Sequence, residues 1–421
     1  MNICKVSKAF LAICVLLSLT GLRPLSKRMG LEFPIEAKQI KLPSGFRAQI
    51  MAKDLGTTRH MAINELGDIF VRLSKLKDGH GMYILKDRNQ DGIIEDQQLL
   101  GDYPGTGIVI GGGYLYTSSN SAVFRYKLGK GGELPANAEP TQLISGLVDH
   151  GRDNAKPLTL DRKGNIYVTI GSYNDNCRQE GSGTGMAPCT ILDSAGGIWK
   201  FNAARANQKF SDGKRYVTGL KNAVGIDWDF NTNSLYATAH GRGKFDDKFP
   251  QYYSAQQSAE LPAETLYKVK EGDDAGWPYI YYDQFQNKKM LAPEYGGDGK
   301  KTAGERAIDP IQAFPAHLGP NALLFYTGSM FPKRYRNGAF IAFHNQSPEL
   351  KKGYMVAFVP FVKGKPGQWE IFADNFAGVD LAMPDGPVQH RPCGLAQGPD
   401  GALYVSDDLN GTIFKISYKS E

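Results

Sequence analysis

The chain has 421 residues, of which 41% are hydrophobic and 22% are charged, and it contains 49 glycines and 23 prolines. This composition excludes a disordered chain, a coiled coil and a collagen, and it favours a turn-rich globular protein. The formal net charge is +6, from 49 basic and 43 acidic residues that are spread along the chain without a clustered basic stripe. Nucleic acid is therefore not a predicted partner.

Residues 1–22 have the pattern of an export signal. Lys5 and Lys8 precede an apolar run of 14 residues, 9–22. As a helix this run would be about 21 Å long, short of a hydrocarbon core of roughly 30 Å. No clear small-residue cleavage site follows, so both a cleaved signal peptide and a retained N-terminal anchor stay open. We expect a periplasmic or secreted protein, which contacts a membrane only if this segment is uncleaved.

A short phrase recurs six times in the rest of the chain. Each copy begins at Gly or Asn and continues into aliphatic, aromatic and β-branched residues, which is typical of the second strand of a hairpin. The copies are residues 67–71, 113–117, 164–168, 233–237, 338–342 and 401–405. Repeats of this kind suit sheets arranged radially. We predict an all-β fold, a six-bladed β-propeller with inserted loops, as a single domain over residues 32–421; a sandwich or two β-domains is the alternative.

A propeller ring closes when a strand from one end of the chain completes a blade from the other end. Residues 32–52 contain two strand-like runs, and residues 411–418 form another near the C-terminus. We expect these segments to pair. The largest insertion is predicted at 243–300, between the fourth and fifth copies of the repeat.

Residues 87–98 begin like the calcium loop of an EF-hand, with Gly92 at the sixth position. The twelfth position is Gln98 in place of a bidentate Glu, and Asp96 lies nearby. The predicted oxygen ligands are those of Asp87, Asn89, Asp91, Ile93 (through its carbonyl) and Glu95. The pattern indicates either a structural calcium site or a plain hairpin turn.

Cys177 and Cys189 flank a loop rich in Gly and Ser. In an oxidising compartment they can form a disulfide; two free thiols are the alternative. No Cys or His spacing resembles a zinc site, and the chain has no Cys-x-x-Cys-His haem-attachment motif.

Six further phrases resemble the glucose/sorbosone dehydrogenase family, and its sorbosone-type branch most. They occur in the family's order, as residues 164–172, 219–228, 239–242, 276–278, 317–321 and 390–407. The resemblance implies a six-bladed propeller that binds pyrroloquinoline quinone (PQQ) and Ca²⁺ in its central cavity. It also implies oxidation of a sugar hydroxyl or aldehyde, in which a base removes a proton, a hydride passes to the quinone, and an external acceptor such as a separate cytochrome takes the electrons.

The same resemblance assigns residues to the cofactors. Lys221 and Asn222 stand where the family has an Arg-Asn pair that grips PQQ; a lysine keeps the charge but lacks the bidentate fork of arginine. Arg391 matches a family arginine that contacts the quinone. Gly241 and Arg242 match the pair whose backbone carbonyls bind calcium.

Three positions depart from the family or leave alternatives open. The register puts Asp153 where the family has its catalytic histidine, with His150 three residues earlier, so the base is His150, Asp153 or absent; histidine has the better pKa for this role. His317 either faces the cavity or is a buried structural histidine. The arginine-bearing phrase of the sorbosone branch is missing near residues 343–348, and Lys351 or Lys352 is the expected substitute.

These departures keep two other functions open. One is a non-catalytic propeller that binds carbohydrate or protein through the same cavity, and the other is a calcium-dependent hydrolase of the lactonase type. A lactonase needs a ring of acidic and Asn ligands, whereas this chain offers Lys221, Arg391 and histidines. That cationic set favours an anionic cofactor, so the oxidoreductase is the leading prediction.

Overall fold

Each copy of the repeated phrase forms the second strand of a separate antiparallel sheet. The computed structural model describes residues 34–179 and 181–419, and in this part of the chain six such sheets follow one another. The first strands of the sheets contact one another around a closed ring, so the sheets are the blades of a propeller. The predicted all-β, six-bladed fold is confirmed; the predicted signal or anchor, residues 1–22, lies outside the described residues.

Blades 1 to 3 come from the first half of the chain. Blade 1 consists of Thr58–Ile63, Ile69–Lys77, His80–Lys86 and Asp96–Leu100. Blade 2 consists of Ile108–Gly111, Tyr114–Ser118, Val123–Lys127 and Thr141–Ser145, with Gln208–Lys209 added in parallel at its outer edge. Blade 3 consists of Leu158–Leu160, Asn165–Ile170, Gly197–Asn202 and Lys214–Thr218, with Asp273–Asp274 as its outermost strand.

Blades 4 to 6 follow in the same order. Blade 4 consists of Ile226–Asp229, Ser234–Ala239, Glu264–Val269 and Gln312–Phe314. Blade 5 consists of Pro320–Phe325, Ala339–Ser347, Lys352–Val359 and Glu370–Ala373. Blade 6 consists of Pro392–Gln397, Leu403–Asp407, Thr412–Tyr418 and, from the other end of the chain, Phe46–Ala52 and Ile35–Glu36.

Blade 6 closes the ring as the sequence predicts. Phe46 pairs with Tyr418 and Ile50 with Phe414 in an antiparallel ladder. The Phe46 ring packs edge-on against Phe331 and Phe372, with centroids 4.8 and 5.0 Å apart. Edge-to-face aromatic pairs contribute roughly 0.5–1.5 kcal/mol beyond the burial of their area, so the closing strand is anchored by packing as well as by hydrogen bonds.

Short elements fill the connections between the strands. The insertion predicted at 243–300 holds the helix Ala255–Glu260, which begins at a capping box in which the Ser254 hydroxyl accepts a hydrogen bond from the Gln257 amide at 3.2 Å. The remaining elements are the hairpins Ile280–Asp283/Lys288–Leu291 and Phe361–Val362/Lys365–Pro366, and the 3₁₀ helices Thr190–Asp193, Phe210–Asp212, Pro293–Tyr295 and Lys333–Tyr335. Within the described ranges, none of the helices has the length and apolar character needed to cross a membrane.

The second strands are buried on both faces because each blade packs between two others. Val71, Val168 and Ala237 are fully buried, which explains the run of β-branched and aromatic residues in the repeat. Gly164 and Gly401 enter these strands with φ of 80° and 85°, a conformation that favours glycine. The hairpin turns lie at one end of the ring, so the loops that precede the first strands and follow the second strands all meet at the other end.

Candidate functional site

The loops at that other end surround a polar cavity of about 550 Å³. Its lining residues are Arg59, Ser74, Lys75, Thr106, Asn120, Asp153, Asn154, Ala155, Asn222, Val224, His240, Gly319, Asn321, His344 and Asn345. They belong to blades 1 to 5, where they lie in loops, at the beginning of first strands or toward the end of second strands. The loops of blade 6 reach the cavity through the ion pairs described below. Amides and cationic groups dominate this lining.

Lys221 and Asn222 both contact the carboxylate of Asp153, which lies in the loop before the first strand of blade 3. The Lys221 Nζ atom lies 3.3 Å from Oδ2 of Asp153, and the Asn222 amide donates to Oδ1 of Asp153 at 3.2 Å. The backbone holds the pair in place, because the Ser172 amide donates to the Lys221 carbonyl and the His240 amide to the Asn222 carbonyl, at 2.6 and 2.9 Å. The two predicted cofactor residues therefore lie beside the predicted base Asp153.

A second carboxylate, Asp175, also faces Lys221. The Lys221 Nζ atom lies 3.2 Å from Oδ1 of Asp175, while Oδ2 accepts the Gly243 amide at 2.8 Å. Burial favours the neutral acid, but the charge of Lys221 and the Gly243 hydrogen bond outweigh it and lower the pKa of Asp175. Asp175 is thus a charged link between Lys221 and the segment that carries Gly241 and Arg242.

The Arg242 side chain points away from solvent into a buried ion pair with Glu294, which also accepts a hydrogen bond from the Asn176 amide at 3.0 Å. Its guanidinium lies over the Phe245 ring, 4.9 Å from the centroid. With the side chain engaged there, a calcium-binding role of Gly241 and Arg242 would rest on their backbone carbonyls, as the resemblance implies.

His240 lines the cavity and is held neutral. Its burial, followed by the positive charge of Lys221, lowers the pKa of His240 to about 3. Its Nε2 atom is buried and has no hydrogen-bond partner among the described residues.

Arg391, predicted to contact the quinone, belongs to a charged cluster around Asp408. Asp408 binds Arg391 Nε at 2.7 Å, Arg59 Nη1 at 3.1 Å and His344 Nδ1 at 3.3 Å. Burial opposes ionisation of the acid, yet the bond and charge of His344 and the two guanidinium charges lower the pKa of Asp408 to about 2. The cluster joins blades 1, 5 and 6 at the cavity.

The other predicted site residues do not line the cavity. His150 is exposed, and its ring packs on Tyr173 with centroids 4.1 Å apart. His317 places Nε2 2.9 Å from the Ser258 carbonyl of the inserted helix, and its burial lowers its pKa. The structure therefore favours Asp153 over His150 at the cavity and a structural role for His317.

Lys351 and Lys352 line a different pocket, together with Lys41 and Asp374. The expectation that one of them replaces the missing family arginine is therefore wrong. The second strand of blade 5 supplies His344 and Asn345 to the cavity instead.

The loop 87–95 brings its predicted ligands together. Ligand oxygens of Asp87, Asp91 and Glu95 lie within 4.8 Å of one another. The Asp87 carboxylate also accepts the amides of Asp91 and Gly92, at 3.1 and 2.8 Å. Burial raises the pKa of Asp87, and the negative charges of Glu95 and Asp91 raise it further. The hydrogen bond from the Gly92 amide acts in the opposite direction. The twelfth position, Gln98, pairs with Ile84 inside a strand of blade 1.

Cys177 and Cys189 form a disulfide, with the sulfur atoms 2.03 Å apart. It closes the loop beside blade 3 that carries Asn176, the partner of Glu294. Cys393 is a buried free thiol.

Four residues of the site escaped the sequence analysis: Arg59, Asp175, His344 and Asp408. Asp408 directly follows the recognised phrase 390–407, and Arg59 precedes its blade's buried strand residues much as Arg391 does in blade 6. These positions in the sequence could have indicated Asp408 and Arg59 as site residues, although only the folded ring brings their side chains together.

The chain resembles known proteins in sequence and in fold. A family model described as TrAA12-like matches residues 40–419. The holo form of the pyranose dehydrogenase PQQ domain from Coprinopsis cinerea is 18% identical, with a TM-score of 0.70 over 90% of this chain and 97% of that one. A calcium structure of a Trichoderma reesei enzyme of carbohydrate-active family AA12 is 17% identical, with a TM-score of 0.69 over 93% and 99%.

More distant solved structures share the fold. The PQQ-bound aldose sugar dehydrogenase from Streptomyces coelicolor is 14% identical, with a TM-score of 0.54 over 90% of this chain and 100% of that one. An uncharacterised protein of Borreliella burgdorferi is 27% identical over 206 residues, and this chain spans 48% of its length. The resemblance to sugar dehydrogenase propellers is confirmed, and the family match over 40–419 shows that the chain belongs to the TrAA12-like family.

Proposed function

We propose that the protein is an oxidoreductase that oxidises a sugar hydroxyl or aldehyde with PQQ and Ca²⁺ as cofactors and passes the electrons to an external acceptor such as a cytochrome. The observation that carries this proposal is convergence. Asn222 lines the cavity at one end of the propeller. Lys221 binds the lining residue Asp153, and Arg391 binds Asp408, which also binds the lining residue Arg59. Residues assigned from separate sequence phrases thus meet beside one cavity. Similar solved structures, which include PQQ-bound sugar dehydrogenases, support the proposal.

The cavity residues fit a cofactor with several carboxylates. A volume of about 550 Å³ lies within the ordinary range of ligand pockets, roughly 300–1,000 Å³. Lys221, Arg59 and Arg391 supply cationic charge in and beside the cavity, and the amide of Asn222 supplies a hydrogen-bonding group. We propose that these residues hold PQQ.

Calcium would be bound by the carbonyls of Gly241 and Arg242, because a hard cation prefers oxygen ligands. When bound, the quinone with its metal supplies a hydride acceptor that the protein lacks. Asp175 contacts both Lys221, which would hold the cofactor, and the backbone of Gly243, which directly follows the two residues that would hold the metal.

For the proton of the substrate hydroxyl, the geometry favours His344. Its ring lines the cavity and places Nδ1 3.3 Å from Asp408, an ion-pair distance without a hydrogen bond. An imidazole at the cavity wall is chemically suited to accept this proton. Asp153, the base that the register predicts, also lines the cavity but is engaged by Lys221 and Asn222.

The lactonase alternative finds less support. Asp153 is the one carboxylate among the described residues that line the cavity, and a calcium-dependent lactonase needs a ring of such ligands. We also propose export, as the N-terminal pattern predicts; a disulfide between Cys177 and Cys189 supports an oxidising compartment.

The test is reconstitution of the purified protein with PQQ and Ca²⁺. We expect a saturable change in quinone absorbance at one PQQ per chain, and reduction of a dye acceptor when aldoses are added. Lys221→Ala should lose the absorbance change, whereas Lys248→Ala, which alters an exposed lysine on the neighbouring insertion, should keep it. Saturable PQQ binding without turnover on any aldose would support the non-catalytic alternative, and no PQQ binding would overturn the proposal.

A further inference from the structure

A second chamber lies below the cofactor cavity, along the axis of the ring. It has a volume of about 370 Å³ and is lined by the first strands of all six blades. The same strands serve both spaces: Arg59 lines the upper cavity and Met61 the chamber, and Asn321 lines the upper cavity and Leu324 the chamber. The chamber extends to the end of the ring where the hairpin turns lie, since Phe230 and Thr327 follow the first strands of their blades.

A hydrogen bond crosses the ring between the two spaces. His60 of blade 1 places Nε2 2.7 Å from the Asn321 carbonyl of blade 5, and the first strand of blade 6 lies between these two blades. Burial, with the charge of Arg59 in addition, lowers the pKa of His60 to about 4. The His60 ring is therefore neutral, and it lines the chamber directly after Arg59, which lines the upper cavity.

The lining of the chamber differs in charge from that of the cavity above it. Val109, Ile110 and Leu324 line it beside the polar residues Thr159, Thr327 and Gln397, and no Lys or Arg is among its lining residues in the described chain. Asp227 is its one carboxyl group, and Oδ2 of Asp227 accepts the Phe325 amide at 2.8 Å. An anionic ligand finds no counter-charge here, whereas a lining of apolar and hydrogen-bonding groups suits a small uncharged ligand with an apolar body and a hydroxyl group.

We propose that this chamber binds a small uncharged apolar molecule that carries one hydroxyl group, with the hydroxyl at Asp227 and the apolar body against Val109 and Leu324. The inference does not depend on the proposed function, because it uses none of the residues assigned to PQQ.

The probe is 2-naphthol, titrated by its fluorescence into the full chain with and without PQQ and Ca²⁺. We expect saturable binding at one site in both cases, and at least tenfold weaker binding of 2-naphthoate, which is anionic, and of naphthalene, which lacks the hydroxyl. Leu324→Trp should fill the chamber and Asp227→Leu should remove the group that binds the hydroxyl; each should weaken 2-naphthol binding at least tenfold and leave PQQ affinity unchanged.

Arg391→Ala is the matched control in the upper cavity and should leave 2-naphthol binding unchanged. Val109→Met narrows the chamber from the opposite side and replaces Leu324→Trp if that variant fails to fold. The proposal is overturned if 2-naphthol shows no saturable binding, if it competes with PQQ, or if the chamber variants bind it as the unaltered chain does.

Discussion

The Lys221 ammonium group lies between two carboxylates, 3.2 Å from Asp175 and 3.3 Å from Asp153, and its side chain is only 8% exposed. A nearly buried lysine is stable only with such partners. The same ammonium adjoins the cavity, because its partner Asp153 and its chain neighbour Asn222 line that cavity.

Replacement of Lys221 by Ala should weaken PQQ binding at least tenfold. The variant removes a cation and leaves Asp153 and Asp175 facing the cavity without their shared partner, so the site becomes more negative toward an anionic ligand. Lys221→Arg restores the charge and should recover most of the affinity. A PQQ titration followed by absorbance measures both, and an unchanged affinity in Lys221→Ala would show that the lysine does not hold the cofactor.

Replacement of His344 by Ala should lower kcat by roughly 10²- to 10⁴-fold, the usual contribution of a general base, while PQQ absorbance is retained. His150→Ala should have little effect, because His150 is exposed and outside the cavity lining. Single-turnover reduction of bound PQQ by an aldose separates the chemical step from binding. If Asp153→Asn abolishes this step and His344→Ala does not, the base is the residue that the sequence register predicts.

The fold was predictable because its signals are local. A turn residue such as Gly164, followed by a run of buried β-branched and aromatic positions, marks one strand of each blade wherever it occurs, and six copies imply the ring. The candidate residues Lys221 and Arg391 could also be selected from the sequence, since each lies in a phrase with its own resemblance.

The partners of those residues were not predictable in the same way. Asp408 joins Arg59, distant by 349 positions in the chain, to Arg391, and no spacing rule relates loops of different blades. His150 was preferred as base on its intrinsic pKa, yet its loop leaves it in solvent beside Tyr173. Histidine chemistry depends on which ring nitrogen meets a carboxylate, and that is a property of the assembled cavity.

Reduction of the Cys177–Cys189 disulfide should lower the thermal stability of the protein. The bond closes a loop of 12 residues, for which the loss of chain entropy in the unfolded state corresponds to about 3 kcal/mol. The double variant Cys177→Ser/Cys189→Ser should show the same loss of Tm without reductant. Cys393→Ser alters the free thiol and is the control; reductant should lower its Tm as much as it lowers that of the unaltered chain. A Tm of the double variant equal to that of the oxidised protein would contradict a stabilising bond.

Calcium should raise the Tm of the chain even without PQQ, through the loop 87–95. The carboxylates of Asp87, Asp91 and Glu95 lie close together, so a cation removes their mutual repulsion as well as binding to the folded state. Asp91→Ala should abolish this rise, whereas Asp298→Ala, in another acidic turn that accepts backbone amides, should keep it. Differential scanning fluorimetry with calcium and with a chelator makes the measurement; an equal rise in Asp91→Ala would assign the effect to another site.

The stability of the protein should decrease as pH rises from about 4 to 7 because of Asp227. Burial, opposed by the hydrogen bonds from Phe325 and Trp228, raises the pKa of Asp227 from 3.8 to about 7. In this window the unfolded chain has already released the proton that the folded chain retains, so each step in pH favours unfolding. The loss amounts to a few kcal/mol, because one pKa unit corresponds to about 1.4 kcal/mol.

Asp227→Asn isolates this contribution, since the amide oxygen still accepts the Phe325 N–H but does not titrate. The difference in unfolding free energy between the unaltered chain and the variant, from urea titrations at pH 4.5 and 8, should shift in favour of the variant at the higher pH. Asp193→Asn, which alters an exposed carboxylate, should show no such shift. A pH-independent difference for Asp227→Asn would mean that the chamber admits enough water to keep Asp227 ionised, which would also remove the apolar character on which its proposed ligand depends.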